Sequence, residues 1–429
     1  MKATPRCPLP AGGQRCYGRQ SMQDVLKPRH APEVEQAIQW ALADGKTLEI
    51  VGRGTKRAVG RAAQSDVTLY LSALSGVTLH EPAELVLSAQ AGTPLADIEA
   101  LAAASAQELA FEPMDYGPLL GTPPGRATIG GVLAANLSGP RRIKSGAARD
   151  HFLGVHAVSG RGETFKSGGR VVKNVTGYDL CKLLAGSWGT LAAMTEVTIK
   201  TLPRAETEET VLALFLDDVA AGKAMTAAMG SYADVSAAAH LPAPLAARIA
   251  EAAGAAGAVT AFRLEGVAPS VAHRKTVLQD ILAPYGGLGI LERDQSRRLW
   301  RAIRDVVPFA ADGPAGGQVV WRLSTAPAGG PALGRVLRES SGAEVFYDWA
   351  GGLVWAALPP ADDGGAAVVH GAVAAAGGHG TLIRAPAAVR AAVAVFAPES
   401  AAAAALTKRL KQSFDPRGVL NAGRMWAGV

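Results

Sequence analysis

The stretch that most constrains this chain is residues 122–150, TPPGRATIGGVLAANLSGPRRIKSGAARD. A glycine pair, Gly130 and Gly131, sits where a helical pattern begins at Ile129, Val132, Leu133 and Leu137. Small residues follow on the same helix (Ala134, Ala135, Ser138, Gly139). A basic turn of Arg141, Arg142 and Lys144 then leads to Gly146 and the Arg149–Asp150 pair. Glycines at a helix start let N–H groups and the positive end of the dipole face outward, which makes an anion site. Without a Cβ, a bulky ligand can lie directly on the backbone. A tight packing turn in an Ala-rich chain accounts for the same residues, so on this stretch alone both readings stand.

At 429 residues the chain exceeds one ordinary core, and two or three domains are expected. Lys and Arg outnumber Asp and Glu, 43 to 37, a surplus that fits an anionic ligand. No basic run or aromatic–basic interleaving accompanies it, which excludes nucleic-acid binding. The three cysteines, Cys7, Cys16 and Cys181, form no CxxC pair or Cys/His cluster, so this chain is expected to hold no metal, neither zinc nor an iron–sulfur cluster. Free thiols suit a reducing, cytoplasmic location. No apolar run reaches the roughly 18–20 residues that span a bilayer. Residues 1–20 lack the apolar core of a secretory signal and read as a disordered leader.

Along the chain, residues 32–44 carry Val34, Ala37, Ile38, Ala41 and Leu42 on one helical face, and Gly45 closes the helix. A strand, TLEIV, runs into GRGTKRAVG (residues 52–60), and the strand VTLYL follows at 67–71. The glycines do not fall as GxGxxG, and no helix follows, so a Rossmann turn does not fit. A Gly-rich loop between strands can still wrap a diphosphate with its own amides; a surface hairpin is the plain alternative. Strands are expected at 76–80 and 84–90. Thr93 as N-cap with Pro94 at the first helical position starts a helix that runs to about Ala104. Residues 153–159 and 163–166 alternate like a hairpin, and the GSWGT turn (186–190) opens a long strand that ends at Pro203. The acidic ETEET beyond reads as a domain boundary. From 205 to about 390 the pattern becomes Ala-rich helices with a few strands: VVWRLS (319–324), GLVWAAL (352–358) and TLIR (381–384). The tail, FDPRGVLNAGRMW, reads as a segment that docks onto another part of the protein.

Taken together, FEP (111–113), ATIGGVLAANLSGPRR (127–142), GGRVVKNVTGYDL (168–180), GSWGTL (186–191) and FDPRGVLNAGR (414–424) resemble flavoproteins of the vanillyl-alcohol oxidase / p-cresol methylhydroxylase type. More narrowly, the chain resembles the FAD-binding (E-type) subunits of bacterial glycolate-oxidising complexes. The resemblance covers about 21–203 plus the tail. It implies an α+β protein: a leader (1–20), a two-lobed FAD-binding domain (21–204), an α+β cap domain (205–395), and a C-terminal helix and tail (396–429) docking back on the FAD domain. By the same resemblance Gly52, Arg53, Gly54 and Thr55 would wrap the diphosphate. Thr128, Ile129, Gly130 and Gly131 would contact phosphate and ribitol, while Asn136, Ser138 and Gly139 would border the flavin. Gly146 and Asp150 would close the adenine side, with Gly186, Glu196 and Val197 on the last strands. Arg141, Arg142 and Arg149 are candidates for charge-assisted bonds. Relatives with covalent flavin place His or Cys where Lys56 and Arg57 stand, so FAD is expected to be non-covalent. Trp188 replaces an acid of the usual GSEGTLG, Ala192 replaces its last glycine, and Ala422 replaces the proline of the usual NPG.

Oxidising a 2-hydroxy acid needs an arginine for the carboxylate and a base for the hydroxyl proton. The resemblance implies a HxGDGNxH stretch in the catalytic D-type relatives, and this sequence has none. His379 is the remaining base candidate, and Arg322 and Arg384 are the carboxylate candidates. His151 reads as structural, and Trp349 and Trp355 read as flavin covers or core residues. The expected function is that of the FAD subunit of a complex oxidising glycolate to glyoxylate. A D-type flavin subunit and an iron–sulfur subunit would be its partners, and peripheral association with the inner face of the cell membrane would come through them. An autonomous oxidoreductase of a small 2-hydroxy acid such as D-lactate, and a structural subunit with an idle flavin site, stay open as alternatives.

Overall fold

A computed structural model describes residues 24–170 and 177–429. The leader, with Cys7 and Cys16, and the centre of the GGRVVKNVTGYDL motif lie outside the described residues. Three larger sheets and a two-stranded pairing of Gln107–Glu108 with Leu202–Pro203 organise the rest. The first is a three-stranded parallel sheet in the order Asp24–Leu26, Val67–Tyr70, Leu48–Val51. Helix Ala31–Ala43 lays Val34, Ile38 and Ala41 on it, one residue per turn of a single face. The second is a five-stranded antiparallel sheet in the order Val77–Glu81, Val86–Gln90, Ala192–Lys200, Phe152–Ser159, Thr164–Gly168.

The third sheet has eight antiparallel strands, in the order Leu288–Leu291, Thr207–Leu214, Val259–Gly266, Ala237–Leu241, Glu344–Asp348, Leu353–Leu358, Val319–Ser324, His379–Arg384. Side chains alternate between its faces. Trp321, Leu323, Val354 and Ala356 pack under helices Gly330–Ser341 and Ala366–Ala375. Val320, Trp355, Phe346 and Ile383 instead join one core with Phe111, Tyr116, Ile129 and Leu133 of the preceding residues. That shared core fixes the sheet over the segment 111–139.

The acidic run 206–210 leads into the first strand of the large sheet, where buried Glu208 accepts from Ser296 Oγ at 2.7 Å and pairs with Arg297. Two sequence expectations change here. The Ala-rich segment Ala237–Leu241 is a wholly buried strand rather than a helix. Its small side chains admit helix Asp218–Met229, whose Ala221, Ala224 and Ala228 are equally buried. The helix after Pro94 begins at Leu95, with Pro94 itself at the N-cap. The Thr93 hydroxyl is engaged elsewhere, accepting from the Gly76 N–H at 2.9 Å and donating to the Gln90 carbonyl at 2.6 Å.

Across the seam, Arg263 donates to both Glu112 oxygens, at 2.7 and 3.0 Å, and Arg141 pairs with Glu108, Glu112 and Glu265. Burial alone would raise the Glu112 carboxyl, but the two guanidiniums outweigh it and hold it far below the ordinary range. Glu112→Gln leaves both arginines short of charge, and a loss of about 3 kcal/mol in urea unfolding is expected. A depressed carboxylate stabilises above its unfolded pKa and loses that contribution as pH falls. The gap between variant and parent should therefore narrow below about pH 4.

Candidate cofactor site

The strand Leu48–Val51 delivers the chain into residues 52–60, a loop that turns on Gly54 at φ +80°. Turn bonds from Arg57 N–H to Gly54 O and from Val59 N–H to Lys56 O close it. The amides of Arg53, Gly54, Thr55 and Lys56 donate to nothing among the described residues. Four successive free amides form an anion nest.

Facing them is the helix Ile129–Ala134, N-capped by Thr128. Its amides were expected to be free, and they are not: Ile129 N–H donates to Thr93 O, Gly130 N–H to Ala91 O, and Gly131 N–H to Thr128 Oγ1. A Cβ on Gly130 would lie 2.7 Å from Ala91 O, so that glycine serves close packing on the neighbouring strand. Gly131 is different, since a Cβ there would meet only Thr128 Oγ1 at 3.1 Å and Lys56 Nζ at 3.5 Å. The two runs touch where a Cβ on Gly52 would lie 2.5 Å from Thr128 Oγ1.

The third run closes the slot. Gly186 N–H donates to Leu133 O and Trp188 N–H to Ala134 O, with Trp188 in the left-handed region at φ +53°. Gly52, Arg53, Gly54, Thr55, Thr128 and Gly131 thus line one cleft with Trp188. Its apolar end runs past Gly130, Ala91, Ala192 and Met194. The tail completes the wall: Asn421 Oδ1 accepts from Ile50 N–H at 2.7 Å, and its Nδ2 donates to Trp188 O at 2.7 Å.

Lys56 is the decisive group. Its ammonium is buried and, among the described residues, reaches only the Thr55 hydroxyl at 3.3 Å and has no carboxylate within ion-pair distance. Burial, aided by Arg424 and opposed by Asp115, pulls its pKa down to about 8. Arg424 stacks on Trp188 at 5.6 Å, donates to Lys56 O, and is lowered by burial to about 10. Two desolvated cations beside four free amides fit a diphosphate, whose charge would compensate both.

Of the remaining expected cofactor residues, Gly186 borders the slot through Leu133, and the others do not line this cleft. Asn136 Oδ1 accepts from Arg149 N–H, Ser138 Oγ from Ala148 N–H, and Asp150 Oδ2 from Ala147 N–H, so all three knit the turn 136–150 together. Gly146 supplies that turn's φ of +85°. Gly139 packs on Glu112 O, and Gly186 lies against Asn136. Glu196 pairs across from Gln90 and His156, and Val197 is wholly buried between strands. Arg141 is committed to the glutamates of the seam. Arg149 is exposed, 3.6 Å from Asp150. His151 bonds Ser145 O at 2.8 Å and is structural.

On the large sheet, Arg322 sits opposite Thr381, and Ser324 opposite His379, so all four share the face turned to the preceding segment. Arg322 and Arg142 both lie over the Trp349 ring, at 4.9 and 5.3 Å. Neither has a carboxylate within ion-pair distance among the described residues, and Arg322 Nε is buried without a partner. Trp349 is held by Nε1 donating to Gly139 O at 3.0 Å and by Asp348, which accepts from its N–H. Desolvation, with the charge of Arg322, lowers the pKa of His379, which is exposed at the start of its strand. Arg384 is a correction: its guanidinium donates to the carbonyls of Leu119, Phe309, Ala315 and Gln318, which leaves it a strut rather than a carboxylate receptor. Trp355 is core, packed on Tyr116 and Phe346. Sequence reasoning missed the buried state of Lys56 and the role of Arg424. The signal available was a lysine directly after GRGT.

A family model described as "FAD binding domain" matches residues 22–168. Among solved structures, p-cresol methylhydroxylase superposes with a TM-score of 0.71 at 13% identity, over 93% of this chain and 88% of that one. The 4-ethylphenol oxidase of Gulosibacter chungangensis gives 0.70 at 13%, over 94% and 89%. The fold is therefore that of the p-cresol methylhydroxylase-type flavoproteins. Glycolate oxidase subunit GlcE of Escherichia coli is 31% identical over 398 residues, 91% of this chain and 96% of that one. Glycolate oxidase subunit GlcD of Bacillus subtilis is 30% identical over 53% of this chain and 45% of its own length. The chain belongs to the family of FAD-linked oxidoreductases that includes these glycolate oxidase subunits, and FAD is its cofactor.

Proposed function

We propose that this chain is the FAD-binding subunit of a complex oxidising glycolate to glyoxylate, with a D-type flavin subunit and an iron–sulfur subunit as partners. The observation that carries it is the nest of residues 53–56 beside the uncompensated ammonium of Lys56. FAD is held non-covalently, its diphosphate on that nest with Lys56 and Arg424 as counter-charges and Gly131 as the open side of the facing helix. Residues 21–204 act as the FAD-binding domain, 205–395 as the cap and 396–429 as the docking tail, a division supported by the break between the two smaller sheets and the large one. Among the described residues no helix is long and apolar enough to cross a membrane. Any hold on the inner face of the cytoplasmic membrane would come through partners.

A second reading, in which this chain itself oxidises the hydroxy acid, is favoured by Arg142 and Arg322. Two guanidiniums that have no ion-pair partner among the described residues lie on one tryptophan and suit a carboxylate. A neutral imidazole nitrogen of His379 on the same sheet face can take the hydroxyl proton. FAD, when bound, supplies the hydride acceptor.

The purified chain should be yellow and release its flavin on acid denaturation; a colourless protein sinks the first proposal. Glycolate added anaerobically to the isolated chain then separates the readings. Full bleaching without partners moves the chemistry onto this chain, and none until partners are added keeps it with the complex. Wherever glycolate reduces this chain's own flavin, Arg322→Met should slow bleaching at least tenfold, about 1.4 kcal/mol.

A further inference from the structure

Behind the nest lies a cavity of about 260 Å³, bounded by Arg57, Arg61, Arg390, Asn421 and Arg424, with Glu49 as its one carboxylate. Glu49 is already consumed by a two-pronged pair with Arg57. Arg390 donates once, to Gly60 O at 2.9 Å, and its Nε is buried without a partner. Arg424 donates once, to Lys56 O, and its Nε is likewise buried and unpartnered. The side chain of Arg61 has no bonding partner among the described residues. Arg61 and Arg390 therefore face one space with no ion-pair partner among the described residues, and Arg424, a counter-charge of the diphosphate, stands at its edge. A buried guanidinium Nε left without a partner carries a desolvation cost that an apolar side chain would avoid.

We propose that this cavity is a second anion site, distinct from the diphosphate nest, that takes a multiply charged small oxyanion such as a tricarboxylate or a phosphate. The chemistry follows from the forks: planar guanidiniums match carboxylate and phosphate oxygens two at a time. The space holds a molecule larger than a single simple ion, and a lone monocarboxylate would leave one of the two remaining cations uncompensated. The wall between the two sites is Arg57 and Arg424, which line both. Through that wall the occupant can report on FAD. The site presupposes the placement of FAD on the nest, which the flavin absorbance of the same samples checks separately.

The test uses the FAD-loaded chain with citrate and, in a separate arm, inorganic phosphate, each against sodium chloride of equal ionic strength. Saturable calorimetric binding and a rise in melting temperature beyond the chloride control are expected for at least one of them, with FAD content unchanged. Whichever arm responds names the source of the oxyanion. Arg61→Ala, which removes no bond of the fold, and Arg390→Gln should each weaken that binding at least tenfold while the flavin-to-protein ratio stays at the parent value. The proposal is overturned if neither anion exceeds the chloride effect, or if both variants bind as the parent does. It is also overturned if the anion displaces FAD, which would make the cavity the outer end of the diphosphate slot.

Discussion

Gly131→Glu is expected to strip the protein of FAD while leaving it folded and at least as stable as its parent. Residue 131 stands three after the N-cap Thr128, and a Cβ there points toward Lys56 Nζ, 3.5 Å away. A glutamate at that position completes a capping box with the threonine or reaches the ammonium as a tethered counter-ion. Either outcome favours the empty fold, and replacing a helical glycine adds roughly 0.5–1 kcal/mol. The same carboxylate occupies the place of a phosphate and repels what remains of it. FAD affinity should fall at least a hundredfold, about 2.7 kcal/mol. The flavin-to-protein ratio after gel filtration, read beside the melting temperature, decides the matter: flavin kept at the parent ratio removes the diphosphate from this cleft.

Lys56→Met should raise the stability of the flavin-free protein and weaken its hold on FAD. In the empty fold the ammonium titrates near 8, against an ordinary value of 10.5. A lysine whose folded pKa is lowered destabilises at pH below that folded value, where both states are charged. The cost fades as pH rises toward the unfolded pKa, because there the unfolded chain binds the extra proton. The gain from methionine, on the order of 3 kcal/mol, should thus be full at neutral pH and gone by about pH 10.5. FAD binds the charged form, so parent affinity should be level below pH 8 and decline by up to tenfold per pH unit above it. The variant's affinity should be lower and flat across the same range. A parent affinity independent of pH would show that Lys56 faces no phosphate.

The two glycine runs and the GSWGT turn were legible because backbone that must pack closely leaves glycine in the sequence whatever the side chains do. What each glycine is for was not legible. Gly130 and Gly131 are neighbours of one type, yet one meets a strand carbonyl and the other opens toward a cation. That distinction depends on Ala91 and Lys56, remote in sequence, and only the assembled fold brings them together. Arg322 and Arg384 posed the same difficulty, both being arginines in apolar strands of one sheet. Four carbonyls absorb the second, while the first lies on an aromatic face with no ion-pair partner among the described residues. The strand at Ala237–Leu241 was hidden by composition, since alanine carries almost no preference where burial is complete.

Asn421 joins Ile50 to Trp188, and Leu48 N–H donates to Val419 O while Asn421 N–H donates to Leu48 O, so the last residues of the chain serve as a strand-like seam for some of the first. A nascent chain still on the ribosome would hold the nest and the glycine pair without the segment that secures them. Loading with cofactor is then an event that follows synthesis through residue 421, and a fragment ending near residue 168 should emerge colourless however well it folds.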